Sequence, residues 1–174
     1  RFVRPHGHST RHPEMSARLG IGFIGSGFNA RFHMQAFRAV RDADIRGVWS
    51  PDAGRAASAA AYATSLDVGE CRAYASIEAM VADPAIDAIW LTGPNHARIA
   101  NVEAIVETIR SGRGTLRGLA CEKPLARTVR EAENVAELAA SVGLMTGYLE
   151  NQLFAPQVEA GHQLLWARGA AATG

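Results

Sequence analysis

Lysine is almost absent from this chain of 174 residues, because Lys123 is the only one among 18 basic residues and all the others are arginines. The basic residues are spread along the sequence, and the net charge is only +1. No positively charged patch is therefore predicted for nucleic acid or for an anionic membrane surface. Long apolar runs are also missing, and none approaches the roughly 20 residues that a membrane-spanning helix requires.

Cysteine is scarce as well, since the chain has only Cys71 and Cys121. They are far apart and belong to no CxxC or Cys/His spacing, which predicts two reduced thiols in a cytoplasmic protein and no metal site. Residues 1–17 contain three histidines, but their prolines and glycine oppose regular structure. We interpret this segment as a disordered leader or a remnant added for expression, with Met15 as a candidate native start.

From residue 18 onwards, short apolar runs alternate with segments of helical periodicity. In the first such segment, Ala30, Met34, Phe37 and Val40 share one helical face. Strict alternation predicts an α/β fold with a doubly wound parallel sheet between two helical layers, that is, a Rossmann-type domain. The predicted strands are 18–25, 44–50, 71–74, 86–92, 115–121 and 143–148, and the predicted helices are 28–40, 53–64, 76–81, 97–111, 128–142 and 156–169.

The end of the first predicted strand carries a glycine pattern, G-x-G-x-x-A, formed by Gly25, Gly27 and Ala30. Gly25 permits a tight turn, Gly27 lets the backbone approach a pyrophosphate, and Ala30 allows close packing of helix and strand. The pattern lies between a buried strand and an amphipathic helix, which is the context that makes it informative. It predicts dinucleotide binding.

The end of the second predicted strand bears on the choice between NAD and NADP. Asp44 has roughly the spacing of a ribose-binding carboxylate, but it lies at the start of its strand, on the wrong edge of the sheet. The expected position holds Ser50, which cannot repel a 2′-phosphate, and Arg55 follows within reach of one. Asp52 is a candidate N-cap for the next helix. We therefore predict NAD or NADP as the cofactor, with NADP tolerated at least as well as NAD.

Polar residues also follow the fourth and fifth strands. In "TGPNHA", Thr92 ends the strand, Pro94 fixes a turn, and Asn95 is equally a nicotinamide-side residue or a helix cap. His96 is either a base or a solvated residue. In "CEKPLA", Lys123 lies on the same sheet edge as the glycine turn, where a lysine serves as an acid–base group and an arginine does not.

The segments "GIGFIGSGFNA", "IDAIWLTGPNHARIA" and "CEKPLA" together resemble the glucose–fructose oxidoreductase, inositol dehydrogenase and rhizopine-catabolism family (Gfo/Idh/MocA). The resemblance covers about residues 18–174. It implies an NAD(P)-dependent oxidoreductase that acts on a sugar, cyclitol or related polyol and forms homo-oligomers. Lys123 would contact the reacting hydroxyl and the cofactor ribose. The implied cofactor-binding residues are Gly25, Gly27, Phe28 and Asn29 for the pyrophosphate, Ser50 for the adenosine ribose, and Pro94, Asn95 and Glu122 on the nicotinamide side.

The resemblance also implies how the chain is divided and where it departs from the family. Residues 18–150 form the cofactor domain, and residues 151–174 are a crossover segment and helix that lead to an absent substrate domain. Glu150 and Asn151 face the active site, and the Lys123–Pro124 bond is strained or cis. Gly93 and Arg98 replace the family's usual threonine and histidine. Two alternatives stay open: a relative that cleaves glycosides through transient oxidation by NAD, and a non-catalytic nucleotide-sensing module.

Overall fold

The computed structural model describes residues 18–167 and contains all six of the expected strands. Every neighbouring pair is parallel, and the strand order is β3-β2-β1-β4-β5-β6. The predicted doubly wound sheet is therefore confirmed. The strands are β1 (Leu19–Ile24), β2 (Ala43–Trp49), β3 (Arg72–Ala73), β4 (Ala88–Leu91), β5 (Gly118–Glu122) and β6 (Met145–Leu149).

The order in which successive strands are added to the sheet reverses at β1. Strands β2 and β3 lie on one side of β1, and β4, β5 and β6 follow on the other side. Ile24 at the end of β1 is level with Trp49 of β2 on one side and with Leu91 of β4 on the other. Leu91 is in turn level with Cys121 of β5. The loops that follow these four strands consequently meet at one edge of the sheet, which is where doubly wound sheets bind ligands.

Six α-helices connect or follow the strands, and three of them begin at a side-chain cap. Asp52 accepts a hydrogen bond from the Arg55 backbone N–H, as predicted, and Ser76 and Thr128 do the same for the N–H groups of Ala79 and Glu131. Such caps satisfy backbone donors that a helix start leaves free. The helices are α1 (Phe28–Ala36), α2 (Ala53–Ser65), α3 (Ile77–Val81), α4 (Arg98–Arg110), α5 (Val129–Ala140) and α6 (Pro156–His162).

Two apolar clusters, one on each face of the sheet, hold the layers together. Alternate residues of β1 point to opposite faces, so Phe23 belongs to one cluster and Ile24 to the other. The Phe23 cluster joins β1 and β2 to α1 and to the alanine face of α2. The Ile24 cluster joins β4 and β5 to α3, α4 and α5. Because helices pack against both faces of the sheet through these clusters, the domain has the predicted three layers, with the sheet between two layers of helices.

Several predicted boundaries were wrong. Helix α1 ends at Ala36 and a 3₁₀ turn follows it, so Val40 is exposed rather than on the buried helical face. Strand β5 starts at Gly118, three residues later than expected. The last helix is regular only to His162. Among residues 18–167, none of the helices combines the length and the hydropathy required to span a bilayer.

Candidate functional site

The turn after β1 is the centre of the site, and its first glycine is required by the backbone. Gly25 has a φ of +120°, which L side chains rarely adopt. A Cβ atom built there would lie 2.8 Å from the backbone nitrogen of Gly93 and 2.9 Å from Thr92 Oγ1. The absence of a side chain therefore lets the β1 and β4 loops touch.

The second glycine has a different environment. Gly27 has an ordinary φ of −80°, and the nearest atom to a Cβ built there is Arg55 Nη2 at 3.9 Å. A side chain at this position would project into open space between the starts of α1 and α2. The lack of one leaves the backbone open to a close approach by a ligand.

The start of α1 is unlike those of α2, α3 and α5. No side chain caps α1, and its first turn contains no acidic residue. The free N–H groups and the positive end of the helix dipole therefore face the open space beside Gly27 without a cap or an acidic residue in the first turn. That combination favours an anion.

A first cavity of about 320 Å³ lies on the β2 side of this turn. Ser50 lines it and accepts a hydrogen bond of 3.0 Å from Ser26 Oγ, which joins the β1 and β2 loops. Asp44 is far from it, because its carboxylate lies at the opposite edge of the sheet and pairs with Arg18 and Arg46. The sequence-predicted residues in this cavity are Gly25, Gly27, Ser50, Arg55, Thr92, Pro94 and His96.

A second cavity of about 380 Å³ lies on the β5 side of the same turn. Asn95 lines it as the first residue of a 3₁₀ turn whose start has no side-chain cap, so the capping interpretation is not supported. His96 is exposed and faces the first cavity instead. The sequence-predicted residues in the second cavity are Gly27, Phe28, Asn29, Thr92, Pro94, Asn95, Glu122 and Lys123.

Lys123 follows directly after β5, where it is exposed and lines the second cavity. The Lys123–Pro124 bond is cis, so that prediction is confirmed. The only lysine of the chain thus shares one cavity with Gly27 and the uncapped start of α1. Glu150 instead caps a 3₁₀ turn through the Gln152 N–H, and neither it nor Asn151 lines either cavity.

Arg98 is one of two functional residues whose contacts the sequence did not reveal. Its side chain is almost completely buried, and burial lowers the pKa of the guanidinium. One of its nitrogens, Nη1, donates to the carbonyl oxygens of Glu122 and Pro124, and Nη2 donates to that of Gly93 at 3.0 Å. Arg98 therefore ties the β4 loop to the β5 loop.

The second is His33, on α1, whose Nε2 lies 3.0 Å from Glu122 Oε1. The Glu122 side chain is only 5% exposed, and its other oxygen, Oε2, has no hydrogen-bond partner among residues 18–167. Helical spacing contained a signal for His33, because it lies four residues after Asn29 and so on the same face of α1. Nothing in the sequence pointed to Glu122 as its partner.

A third cavity, of about 340 Å³, lies between the starts of α1 and α2 and is lined by two arginines. Arg55 was predicted, whereas Arg31 was missed. Arg31 donates to Ser58 Oγ at 3.0 Å, and its guanidinium lies 4.9 Å from the centre of the Tyr62 ring. The two cations lie just beyond Ser50, on the side of the site where the second strand ends.

The fold and these strand-end loops define a dinucleotide-binding Rossmann domain. Residues 19–148 match the model of the "Oxidoreductase family, NAD-binding Rossmann fold". The chain therefore belongs to the Gfo/Idh/MocA oxidoreductase family, as the sequence motifs indicated.

Two curated relatives support this assignment. The 1,5-anhydro-D-fructose reductase of Ensifer adhaerens is 32% identical over 127 residues, which are 72% of this chain and 34% of the relative. The inositol 2-dehydrogenase of Leifsonia xyli subsp. xyli is 33% identical over 122 residues, which are 70% and 32%. The chain thus spans about a third of the length of these relatives.

A solved structure shows the same fold. GenD2 from gentamicin A biosynthesis, in complex with NAD, superposes with a TM-score of 0.73 at 22% identity. The match covers 97% of this chain and 43% of that one.

Proposed function

We propose that this chain is the cofactor-binding domain of an NAD(P)-dependent oxidoreductase that moves a hydride between nicotinamide and a CH–OH carbon of a sugar, cyclitol or related polyol. The observation that carries the proposal is the second cavity, in which Lys123 lies beside Gly27 and the uncapped start of α1. The substrate class is supported by the relatives, a reductase of an anhydro sugar and an inositol dehydrogenase.

The residues of the three cavities fit such a cofactor. Gly25 permits the tight turn and Gly27 leaves room for a pyrophosphate, which the free N–H groups of Phe28 and Asn29 would bind. Ser50 and Arg55 would contact the adenosine ribose. When bound, the nicotinamide supplies the hydride donor or acceptor. The residues that would line its side of the site are Thr92, Pro94, Asn95, His96 and Glu122.

Lys123 would move the proton that accompanies hydride transfer. In the oxidative direction its neutral amine accepts the hydroxyl proton at Nζ, and in the reductive direction its ammonium donates a proton to the carbonyl oxygen. An arginine cannot do this, because its guanidinium stays protonated at any working pH. This requirement explains why a chain otherwise built with arginine has a lysine at this position.

For the choice of cofactor, we infer that NADP is bound at least as well as NAD. Ser50 adds no negative charge at the end of β2, and Arg31 and Arg55 flank the third cavity beside it. A 2′-phosphate in the third cavity would meet these two cations, while the nearby Asp52 carboxylate lines the first cavity and caps α2. Ser50→Asp should lower NADPH affinity at least tenfold, or about 1.4 kcal/mol, and change NADH affinity less. Calorimetric titration of both cofactors tests this, and a wild-type chain that binds NADH tenfold more tightly would contradict it.

We also propose that the residues that select the substrate lie outside these 174 residues, because the matched segment makes up only about a third of the length of these relatives. Residues 18–150 would then be the cofactor domain, with residues 151–174 leading to a substrate domain and to contacts within a homo-oligomer. A cytoplasmic location is supported by Cys71 and Cys121, which form no disulfide. Burial raises their pKa values to about 12 and about 11, so both remain thiols at neutral pH.

The proposal is tested by titrating the purified chain with NADPH while the tryptophan fluorescence is followed, since Trp49 lines the first cavity. We expect saturable quenching that excess 2′-phospho-ADP-ribose reverses. No saturation with millimolar NADPH or NADH would refute a cofactor-binding role.

A further inference from the structure

The pair formed by His33 and Glu122 joins two parts of the site that are 89 residues apart in the sequence. His33 lies on α1, the helix whose start faces the pyrophosphate position, and Glu122 ends β5 directly before Lys123. Their side chains are 14% and 5% exposed. Bulk water therefore does little to satisfy either group, and their mutual hydrogen bond matters more than a surface bond would.

When Glu122 is ionised its oxygens can only accept, and His33 Nε2 then donates the hydrogen to Glu122 Oε1. Arg98 is also buried, but its Nη1 and Nη2 donate to backbone carbonyls, including that of Glu122 itself, and its Nε has no partner within residues 18–167. Within residues 18–167, His33 is the one side chain that bonds to the carboxylate.

The second oxygen of the Glu122 carboxylate differs from the first in having no hydrogen-bond partner among the described residues. Glu122 Oε2 is buried and has no donor in the part of the chain that the structure describes. A buried acceptor without a donor is costly, which calls for an explanation of why it is present. Glu122 also lines the second cavity, together with Asn95 and Lys123. A ligand that brings an N–H group to this cavity would satisfy the remaining oxygen.

We propose that His33 is a positioning residue, which fixes the Glu122 carboxylate through Oε1 so that its second oxygen accepts a hydrogen bond from the carboxamide of the nicotinamide ring. This inference rests on the proposed function, because it assumes that a nicotinamide cofactor binds. It adds to that function a residue on α1 that contacts neither cofactor nor substrate. Through His33, the helix that receives the pyrophosphate also sets the nicotinamide end of the site.

The test compares two probes that differ only at the nicotinamide end, NADPH and 2′-phospho-ADP-ribose, by calorimetry on the 174-residue chain. His33→Leu removes the donor. It should weaken NADPH binding by about five- to tenfold, the net worth of one ordinary hydrogen bond, and leave 2′-phospho-ADP-ribose affinity unchanged. His33→Asn is polar but too short to reach Oε1, so it should weaken NADPH binding in the same way. This variant serves as the test if His33→Leu folds poorly.

Rescue by a conservative variant separates positioning from simple packing. His33→Gln places an N–H donor near the Nε2 position and should keep NADPH affinity within about twofold of the wild type, since it restores the bond. In a Glu122→Ala background, His33→Leu should have no further effect on NADPH affinity. The control is His162→Leu on α6, an exposed histidine far from the cavities, which should alter neither affinity.

The outcomes distinguish this inference from the proposed function. A wild-type chain that binds neither probe would refute the proposed function, and the role of His33 with it. Normal NADPH binding by both His33→Leu and His33→Asn would overturn the inference alone. So would an equal loss for both probes, or a His33→Gln variant that binds NADPH as weakly as His33→Leu.

Discussion

Gly25 and Gly27 stand two residues apart in the same turn, but they are glycines for different reasons. Gly25→Ala would place a methyl group 2.8 Å from the Gly93 nitrogen at a φ of +120°. We expect it to lower the free energy of unfolding by about 2–3 kcal/mol, from backbone strain and the clash. Urea denaturation measures this loss.

Gly27→Ala is the matched variant at the neighbouring glycine. Its methyl group would have no atom closer than 3.9 Å and an unstrained φ, so stability should stay within about 0.5 kcal/mol of the wild type. NADPH affinity should nevertheless fall at least tenfold, about 1.4 kcal/mol, because the methyl group occupies the approach to the helix start. Equal stability losses in the two variants would contradict this division of roles.

Arg98 is buried and ties the β4 loop to the β5 loop, so its replacement should lower the stability of the fold strongly. Arg98→Met keeps an apolar side chain of similar length but deprives the carbonyls of Gly93, Glu122 and Pro124 of their buried donors. We expect a loss of about 3–5 kcal/mol in the free energy of unfolding, as when one partner of a buried charged network is deleted.

Two comparisons make the Arg98 experiment specific. Arg98→Lys should recover only part of the loss, because a single ammonium does not span the two loops as a planar guanidinium does. Arg130→Met, at an exposed position of α5, should change stability by no more than about 0.5 kcal/mol. Equal stability of Arg98→Met and Arg130→Met in urea denaturation would rule out the tie between the loops.

At the scale of elements, α1 begins without a side-chain cap, so this helix is less stable than it would be with one. Asn29→Asp adds a carboxylate to its first turn, which should stabilise the helix by about 0.3–1 kcal/mol through the dipole. The same charge should repel a pyrophosphate and weaken NADPH binding about fivefold or more. Thermal unfolding and calorimetry on one sample measure both effects.

Opposite signs for stability and affinity are the mark of a helix start kept free for an anion. Asn134→Asp on α5 is the control, since α5 starts at the Thr128 cap and lines none of the three cavities. It should leave NADPH affinity unchanged. An Asn29→Asp chain that binds NADPH as tightly as the wild type would show that the start of α1 does not bind the pyrophosphate.

Elements were predictable from the sequence because their signals are local. The apolar runs and helical stripes predicted every strand and helix, and the Asp52 cap followed from its position before α2. Helix α1 gives way to a 3₁₀ turn at Phe37, and no periodicity within the segment announces that change.

The site shows a division between local and distant signals. Gly27 and Lys123 were predictable because each follows a strand at the edge where ligands bind. Two partners of Arg98, Glu122 and Pro124, lie 24 and 26 residues away, and the partner of His33 lies 89 residues away. A single sequence does not show which side chains meet across such distances, so the roles of these two residues emerged only from the fold.

At the scale of the molecule, the proposed reaction requires a bound cofactor and a bound substrate, and the described residues account only for the first. On the proposed function, the three cavities and the uncapped helix would bind a dinucleotide, and an acid–base lysine would also need a substrate hydroxyl held about 3 Å from Nζ. Lys123 is exposed, and nothing within residues 18–167 covers the second cavity above it. We infer that the substrate is held there by parts of the protein outside the 174 residues.

This division predicts binding without turnover. The 174-residue chain should bind NADPH yet transfer no hydride to or from any sugar or polyol, as followed by absorbance at the wavelength of the reduced nicotinamide.

In the protein encoded by the complete gene, Lys123→Arg should lower kcat by about 10²–10⁴, the usual contribution of a general acid–base group. Its NADPH affinity should stay within about twofold of the wild type, because the glycine turn and the start of α1 provide most of the binding. Arg113→Lys, an exposed change far from the cavities, should keep full activity. A fully active Lys123→Arg enzyme would mean that the amine moves no proton, and the single lysine would then need another explanation.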